Sequence, residues 1–142
     1  MIENTKNKHT IHIAEPLKNN KIDKDKIKTD NYPIFCFKYL SDVSIKKCKN
    51  SNFFYDFLMR LQKLSELGWT EIRKSHKHAY GLEPIPVFKI KPQVLPECIT
   101  PDVKYLHAFR ASGNNLSFVG IQEQNIFRIL FIETKFGDIY DH

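Results

Sequence analysis

The sequence has no apolar run long enough to cross a membrane. A bilayer-spanning helix needs about 20 consecutive apolar residues, and no segment of the 142-residue chain approaches that length. The first residues, MIENTKNKHTIHIAEPLK, also lack the continuous apolar stretch of a secretory signal. These two absences predict a cytoplasmic protein without a membrane partner.

Cysteine is scarce, and no two cysteines are closely spaced in the sequence. The three cysteines are Cys36, Cys48 and Cys98, an odd number with no CxxC pair. Such a set is typical of reduced thiols and not of a disulfide framework. We expect three free thiols.

The sequence also lacks a recognisable metal module. The side chains that could form a zinc site in principle are His76, His78, His107, His142 and Cys98. Their spacing matches no closed zinc module, which would bring its ligands in two closely spaced pairs. We predict neither a metal site nor a cofactor.

Several catalytic signatures are missing as well. The chain contains no Walker loop, no GxGxxG and no GxSxG elbow. Its acidic residues between 33 and 100 include Asp56, Glu66, Glu71 and Glu83, which are predicted to be surface charges. A nuclease that depends on Mg²⁺ needs carboxylates to hold the ion, so this class is disfavoured.

The charge and the aromatic content are informative. The formal net charge is +6 and the sequence pI is about 9.2, which favours an anionic partner such as nucleic acid, the ribosome or an acidic protein. Eleven phenylalanines and 42% hydrophobic residues are enough for one domain with a core.

The first 31 residues differ from the rest. They are rich in Lys and Asn and contain no aromatic residue, so we predict a basic flexible extension over residues 1–31. Residues 9–15 alternate well enough for a short strand. The extension either contacts nucleic acid or an acidic partner, or it is simply solvated. Residues 32–142 are predicted to form a single domain.

That domain is predicted to contain one long helix and one short one after a strand at residues 33–40. Residues 51–68 have apolar side chains at helical spacing, with Ser51 or Asn52 as the N-cap and Gly68 as the stop. The apolar stripe consists of Phe53, Phe57, Leu61, Leu64 and Leu67. Residues 69–78 are expected to form a short second helical turn and then a polar loop.

The second half of the domain is predicted to be a sheet. Residues 84–101 carry five prolines, so they form an extended connector, with an edge strand at residues 87–91 as an option. Residues 105–112, 116–123 and 126–133 then alternate as three strands of an antiparallel meander. The predicted fold is α+β: the meander and the N-terminal strand form an antiparallel sheet that packs against one long and one short helix.

A run of basic side chains follows the helix and could bind phosphate. It consists of Arg73, Lys74, His76, Lys77 and His78. Imidazoles exchange protons near neutral pH, and adjacent cations attract phosphate, so phosphate chemistry is one interpretation. A generic solvated surface is the other.

Two arginines lie inside the predicted strands. Arg110 shares a strand face with Leu106 and Ala108, and Arg128 lies inside a strand that is otherwise apolar on both faces as far as residue 132. A buried guanidinium needs a partner. That partner is either an incoming phosphate or a carboxylate such as Glu123.

The order of elements resembles the RelE/ParE superfamily of bacterial toxins over residues 33–142. A strand, a helical hairpin and a terminal meander, FRASGNNLSFVGIQEQNIFRILFIE, followed by a tyrosine near the end, are similar to that family in topology, size and basic charge. Small proteins of phage and mobile-element neighbourhoods share the pattern. The resemblance implies a RelE-like fold.

The resemblance also implies a function. Members of this kind cleave mRNA without a metal, often on the ribosome, as toxins of toxin–antitoxin or phage-defence systems. The residues at matching positions are His76, His78, Arg110, Arg128, Tyr140 and His142 as catalytic groups, with Arg73, Lys74 and Lys77 binding RNA. The expected partners are RNA or the ribosome and a cognate antitoxin. The alternative is a ParE-like or mobile-element protein that inhibits its target without catalysis.

Overall fold

The computed structural model describes residues 31–47, 49–91, 95–112 and 115–142. In chain order, its elements are β1 (Ile34–Cys36), α1 (Asp42–Lys47), α2 (Ser51–Lys74), β2 (Glu83–Pro86), a 3-10 turn (Val87–Lys89), β3 (Tyr105–Arg110), β4 (Ser117–Glu123) and β5 (Ile126–Ile132). The class is α+β, as the sequence predicts.

Helix α2 packs its apolar stripe on one face of the sheet. Leu64 is fully buried, and Phe57 meets Phe118 of β4 edge to face with ring centroids 5.1 Å apart. Phe109, Phe118 and Phe127, one from each strand of the meander, form the aromatic floor under the helix. Each edge-to-face pair contributes about 0.5–1.5 kcal/mol beyond the stabilisation that comes from burying its surface area. The predicted packing of this stripe against the meander is confirmed.

The predicted interruption at Gly68 is present, but the helix resumes after it. Gly68 has φ 81° and ψ 163°, a conformation that favours glycine, and a Cβ there would lie 2.9 Å from the carbonyl oxygen of Asn31. Helical geometry then continues from Trp69 to Lys74. Arg73 and Lys74 therefore belong to the helix end and not to the loop that the sequence suggested.

The five strands of the described region have the order β1-β5-β4-β3-β2. Strand β1 runs parallel to β5, and the other neighbouring pairs are antiparallel, so the sheet is mixed, whereas the sequence predicted one that is antiparallel throughout. Strand β1 is parallel because the chain crosses over the sheet through α1 and α2 before the meander begins. After β1 the chain continues along β5, where Ser41 N–H donates to the Leu130 carbonyl (2.8 Å) and Ile132 N–H donates to Ser44 Oγ (2.9 Å). The chain from β1 to α1 thus covers the outer edge of β5.

A bulge in β5 changes which side chains share a face. Val119 pairs with Phe131 while the next residue, Gly120, pairs with Ile129, so Leu130 is the extra residue. Leu130 and Phe131 both contribute to the face opposite α2, whereas Ile132 packs under the helix. Strict alternation along residues 126–133 predicts Ile132 on the same face as Arg128, and this prediction is wrong because the bulge intervenes.

The face of the sheet opposite α2 is covered by the proline-rich connector and by the chain after β5. Ile139 and Tyr140 are buried there together with Ile85, Leu106 and Val119. Lys91 N–H donates to the Ile139 carbonyl at 2.7 Å, which ties the connector to the C-terminal segment. The predicted burial of β5 on both faces is confirmed.

Three local expectations need correction. Strand β2 lies at Glu83–Pro86, while the suggested edge strand at residues 87–91 begins as a 3-10 turn. The N-cap of α2 is Asn50, whose side chain accepts from Asn52 N (2.9 Å) and Phe53 N (3.2 Å), and not Ser51 or Asn52. Helix α1 was not predicted.

The predicted extension and the strand proposed at residues 9–15 lie outside the described residues, apart from Asn31, which caps the second segment of α2. The Asn31 carbonyl accepts from Trp69 N at 2.6 Å, and its side-chain amide donates to Thr70 Oγ1 at 3.3 Å. None of the helices that the structure describes is long and apolar enough to cross a membrane.

Candidate functional site

The loop at residues 75–81, which carries two of the predicted catalytic histidines, is held in a defined shape. Ala79 N–H and Gly81 N–H both donate to the His76 carbonyl, and Tyr80 N–H donates to Ser75 Oγ at 3.1 Å. A Cβ on Gly81 would lie 2.2 Å from the Ser75 carbonyl oxygen, so the turn is too tight for any other residue.

Arg60 fastens this loop to the rest of the domain. Its guanidinium donates from Nη1 to the Ala79 carbonyl (2.9 Å) and from Nη2 to the Ser112 carbonyl (3.1 Å), and it lies 4.7 Å from the centre of the Tyr80 ring. One side chain of α2 thus joins the histidine loop to the end of β3.

Arg110, at the end of β3, contacts His78 directly. Arg110 Nη2 lies 2.7 Å from His78 Nδ1, and Nη1 donates to the Asn115 carbonyl (2.9 Å) and to Asn115 Oδ1 (3.3 Å). A guanidinium can only donate, so His78 Nδ1 accepts and the ring proton lies on Nε2. None of these partners carries negative charge.

The other basic side chains of the predicted cluster surround this pair. The ring centres of His76 and His78 are 6.2 Å apart, and both residues are exposed. Lys77 pairs with Glu83 (3.3 Å), and Lys74 pairs with Glu71 (3.7 Å).

Arg73 lies apart from the two lysine pairs. Its guanidinium is 5.9 Å from the centre of the Trp69 ring, one turn earlier in α2. The predicted RNA-binding residues therefore lie at one edge of the domain and make individual contacts with it.

A buried carboxylate lies beside this edge. Glu133 is fully buried, and its oxygens accept from Ser117 N (2.9 Å) and Gly137 N (3.0 Å). His142 Nε2 lies 2.9 Å from both oxygens, and the His142 ring is stacked between Phe136 (4.1 Å) and Tyr140 (4.2 Å). The imidazole therefore donates to the carboxylate through Nε2.

Tyr140 joins this buried network to the strand that carries Arg110. Tyr140 Oη lies 3.1 Å from Ser117 Oγ, and Ser117 pairs in register with Arg110. Burial raises the pKa of the Tyr140 phenol, with the Ser117 hydrogen bond and the Arg110 charge acting against it. At ordinary pH Tyr140 is a neutral, buried hydroxyl.

Arg128 lies at the other end of the same sheet face. It pairs in register with Ile121, four residues along β4 from Ser117, which is roughly 13 Å at 3.3 Å per residue. Its Nη2 binds Glu123 Oε1 at 2.7 Å, a contact that raises the pKa of the guanidinium. The structure thus contains the carboxylate pair that the sequence left as one of two options.

The surroundings of Arg128 contain two thiols. Cys36 Sγ lies 4.0 Å from Arg128 Nη1, and the Tyr39 ring centre is 5.8 Å from the guanidinium carbon. Burial raises the pKa of Cys98, which the nearby Arg128 charge opposes. Both thiols are free, and Cys48 lies outside the described residues.

The candidate zinc ligands are distributed over both faces of the sheet. His107 faces α2, and burial lowers the pKa of its imidazole, whereas His142 and Cys98 lie on the opposite face. In the part of the chain that the structure describes, no group of three His, Cys, Asp or Glu side chains is close enough to hold a metal ion.

The structure brings His76, His78, Arg110, Tyr140 and His142 to one end of the sheet and leaves Arg128 at the other. Sequence reasoning missed two residues at this end. Glu133 is the last residue of the predicted strand 126–133, and Arg60 lies off the apolar stripe of α2, so the sequence assigned no role to either. Only the polar termination of an otherwise apolar strand hinted at Glu133.

No protein-family model matches this chain, and comparison with curated proteins and with solved structures found no match either.

Proposed function

We propose that the protein is a metal-independent endoribonuclease of the cytoplasm, acting on mRNA as the toxin of a toxin–antitoxin or phage-defence system. The observation that carries the proposal is the contact between Arg110 and His78. It combines a permanently charged group whose partners are all neutral with an imidazole whose Nδ1 accepts a hydrogen bond, at an exposed edge.

Arg110 is suited to bind the scissile phosphate. A guanidinium presents five donors in a planar fork that matches two phosphate oxygens. Its present partners are two backbone or amide oxygens and one ring nitrogen, and a charged phosphate is a stronger acceptor than any of them. The incoming RNA therefore draws the guanidinium away from His78.

His78 then becomes the general base. When Arg110 turns to the phosphate, the Nδ1 lone pair of His78 is free to accept the proton of the ribose 2′-hydroxyl. The 2′-oxygen attacks phosphorus, the bond from phosphorus to the 5′-oxygen breaks, and His76 in its protonated form donates a proton to the departing 5′-oxygen. The products are a 2′,3′-cyclic phosphate and a 5′-hydroxyl, and no metal or co-reactant is consumed.

The buried network supports this site from below. Glu133 holds His142, His142 stacks on Tyr140, and the Tyr140 hydroxyl contacts Ser117, which is paired with Arg110. In this proposal Tyr140 and His142 fix the position of the β3 end. Their assignment as catalytic groups, like that of Arg128, stays a prediction.

The test is cleavage of a single-stranded RNA in the presence of EDTA. The wild-type protein should cut RNA to 2′,3′-cyclic ends and leave a strand with 2′-deoxyribose at the cleaved position intact. His78→Ala should reduce the rate by about 10²–10⁴, the usual contribution of a general base. His107→Gln, a histidine on the opposite face, is the matched control and should cleave normally. A wild-type protein without any cleavage would contradict the proposal.

One observation favours a second candidate, a protein that inhibits a protein target without catalysis. Two successive turns of α2 expose the large apolar side chains of Phe54, Tyr55, Leu58 and Met59. Such a stripe suits an apolar segment of a partner such as an antitoxin or an inhibited enzyme. If growth inhibition survives His78→Ala but is lost in Leu58→Asp, the second candidate is the correct one.

A further inference from the structure

An open groove lies where the connector passes the C-terminal segment. It has a volume of about 670 Å³ and is lined by Phe88, Lys89, Ile90, Lys91 and Asp141. That volume is within the range of roughly 300–1,000 Å³ typical of ligand sites. Asp141 follows Tyr140 directly, so the groove begins one residue from the buried network described above.

Phe88 is the most exposed large apolar side chain that the structure describes, at 84%. It lies in the 3-10 turn Val87–Lys89, where the Val87 N–H donates to the Lys104 carbonyl (2.9 Å) and the Ile90 N–H donates to the Val87 carbonyl (3.0 Å). The hydrogen bonds hold the backbone of the turn, and the Phe88 side chain projects into solvent. An exposed aromatic ring is a stacking surface for a base.

Lys89 and Lys91 line the groove together with Phe88 and determine the sign of its net charge. Lys91 Nζ binds Asp141 Oδ1 at 2.8 Å and the Gly137 carbonyl at 2.6 Å, and this lysine holds the pKa of the Asp141 carboxyl below its usual value. The positive charge of Lys89 also lowers the pKa of the Asp141 carboxyl. Two lysines against one carboxylate leave the lining with a formal charge of +1.

We propose that this groove binds a base and its adjacent phosphate from single-stranded RNA, with the base stacked on Phe88 and the phosphate held by Lys89. An exposed aromatic ring in a groove that is also lined by lysines combines the two contacts that single strands use, since every base has a stacking face and every nucleotide carries a negative charge. A duplex has no unpaired base to offer. The inference rests on the proposed function, because it names the form of RNA that reaches the site.

The experiment uses the full chain and a fluorescein-labelled DNA oligonucleotide, which cannot be cleaved through a 2′-hydroxyl. Phe88→Ala should weaken binding by about fivefold or more, the usual effect of removing one stacked ring. Phe88→Trp should restore it. Phe37→Ala, which removes an aromatic ring that is 46% exposed directly after β1, is the matched control and should bind like wild type.

Two further arms identify the ligand. Lys89→Ala should reduce the magnitude of the slope of log affinity against log salt concentration by about 1, which is the contribution of one phosphate contact. A strand with abasic sites keeps the phosphates but loses the bases, so Phe88→Ala should no longer change its affinity. Equal loss on the abasic strand would overturn the stacking assignment.

The outcome is separable from that of the cleavage proposal. DNA binding that depends on Phe88, in a protein that never cleaves RNA, would uphold the groove and defeat the proposed activity. RNA cleavage by a protein whose affinity for single strands is unchanged in Phe88→Ala would do the reverse. A competition with poly-glutamate provides one more check. If poly-glutamate displaces the DNA oligonucleotide equally well from the wild-type protein and from Phe88→Ala, the groove is not a base-binding site.

Discussion

Arg110 and Arg128 lie on the same face of one sheet, on the two strands that flank β4, yet their surroundings differ. Arg128 binds the Glu123 carboxylate, and its side chain retains only 24% exposure under this contact. Arg110 binds a ring nitrogen and two neutral oxygens. The charge of Arg128 is compensated by a carboxylate within the protein, while the hydrogen-bond partners of Arg110 are all neutral.

The two ends of the sheet also differ in how their carboxylates are placed. Glu123 is exposed at the tight turn between β4 and β5, where it meets Arg128 across the hairpin. Glu133 is fully buried at the opposite end and receives donors from the backbone and from His142, not from Arg110. An arginine in an apolar strand is therefore informative only together with the carboxylates that can reach it.

The largest expected effect is the difference in stability between variants of these two carboxylates. Glu133→Ala should lower the free energy of unfolding by about 3–5 kcal/mol, because it leaves two backbone N–H groups and the His142 imidazole without their acceptor. Glu123→Ala is the matched control and should leave the melting temperature nearly unchanged, since its carboxylate is mostly solvated. Urea denaturation measures both. Equal costs would mean that the two ends do not differ as described.

A smaller effect is expected at Arg60, which holds the histidine loop. Arg60→Ala should cost about 1.5–3 kcal/mol, the usual worth of hydrogen bonds from a charged group, and should loosen residues 75–81. Hydrogen exchange should then rise at Ala79 and Gly81 and stay the same in β5 near Arg128. Lys63→Ala, on an exposed position of the same helix, is the control. Unchanged exchange in the loop would show that Arg60 does not hold the site.

Much of the fold follows from the sequence because its patterns are local. The stripe of α2 has helical spacing throughout, and the meander strands lie within two residues of their predicted ends because polar turns separate them. Gly68 ends the first helical segment because of its positive φ. These features depend on neighbours within a few residues.

Other features depend on contacts that no local pattern reveals. Strand β2 contains Pro84 and Pro86, which argue against a strand except at a sheet edge, where it lies. The bulge at Leu130 falls in an unbroken apolar run, so no polar residue marks the change of face.

The candidate site shows the same division. Residue type, predicted position and the family resemblance selected His76, His78 and Arg110, which the structure brings to one end of the sheet. The burial of Glu133 could not be predicted, because it requires the chain end to return over the sheet and place His142 against the carboxylate.

The most direct test of the account compares Arg110→Gln with Arg128→Gln in RNA binding and cleavage. Arg110→Gln should reduce cleavage by about 10²–10³, as expected when a transition-state donor is removed. It should also reduce the magnitude of the slope of log RNA affinity against log salt concentration by about 1, because one phosphate contact is lost. Arg128→Gln should leave the cleavage rate and the salt slope at their wild-type values. Loss of cleavage in Arg128→Gln with normal cleavage in Arg110→Gln would contradict the account.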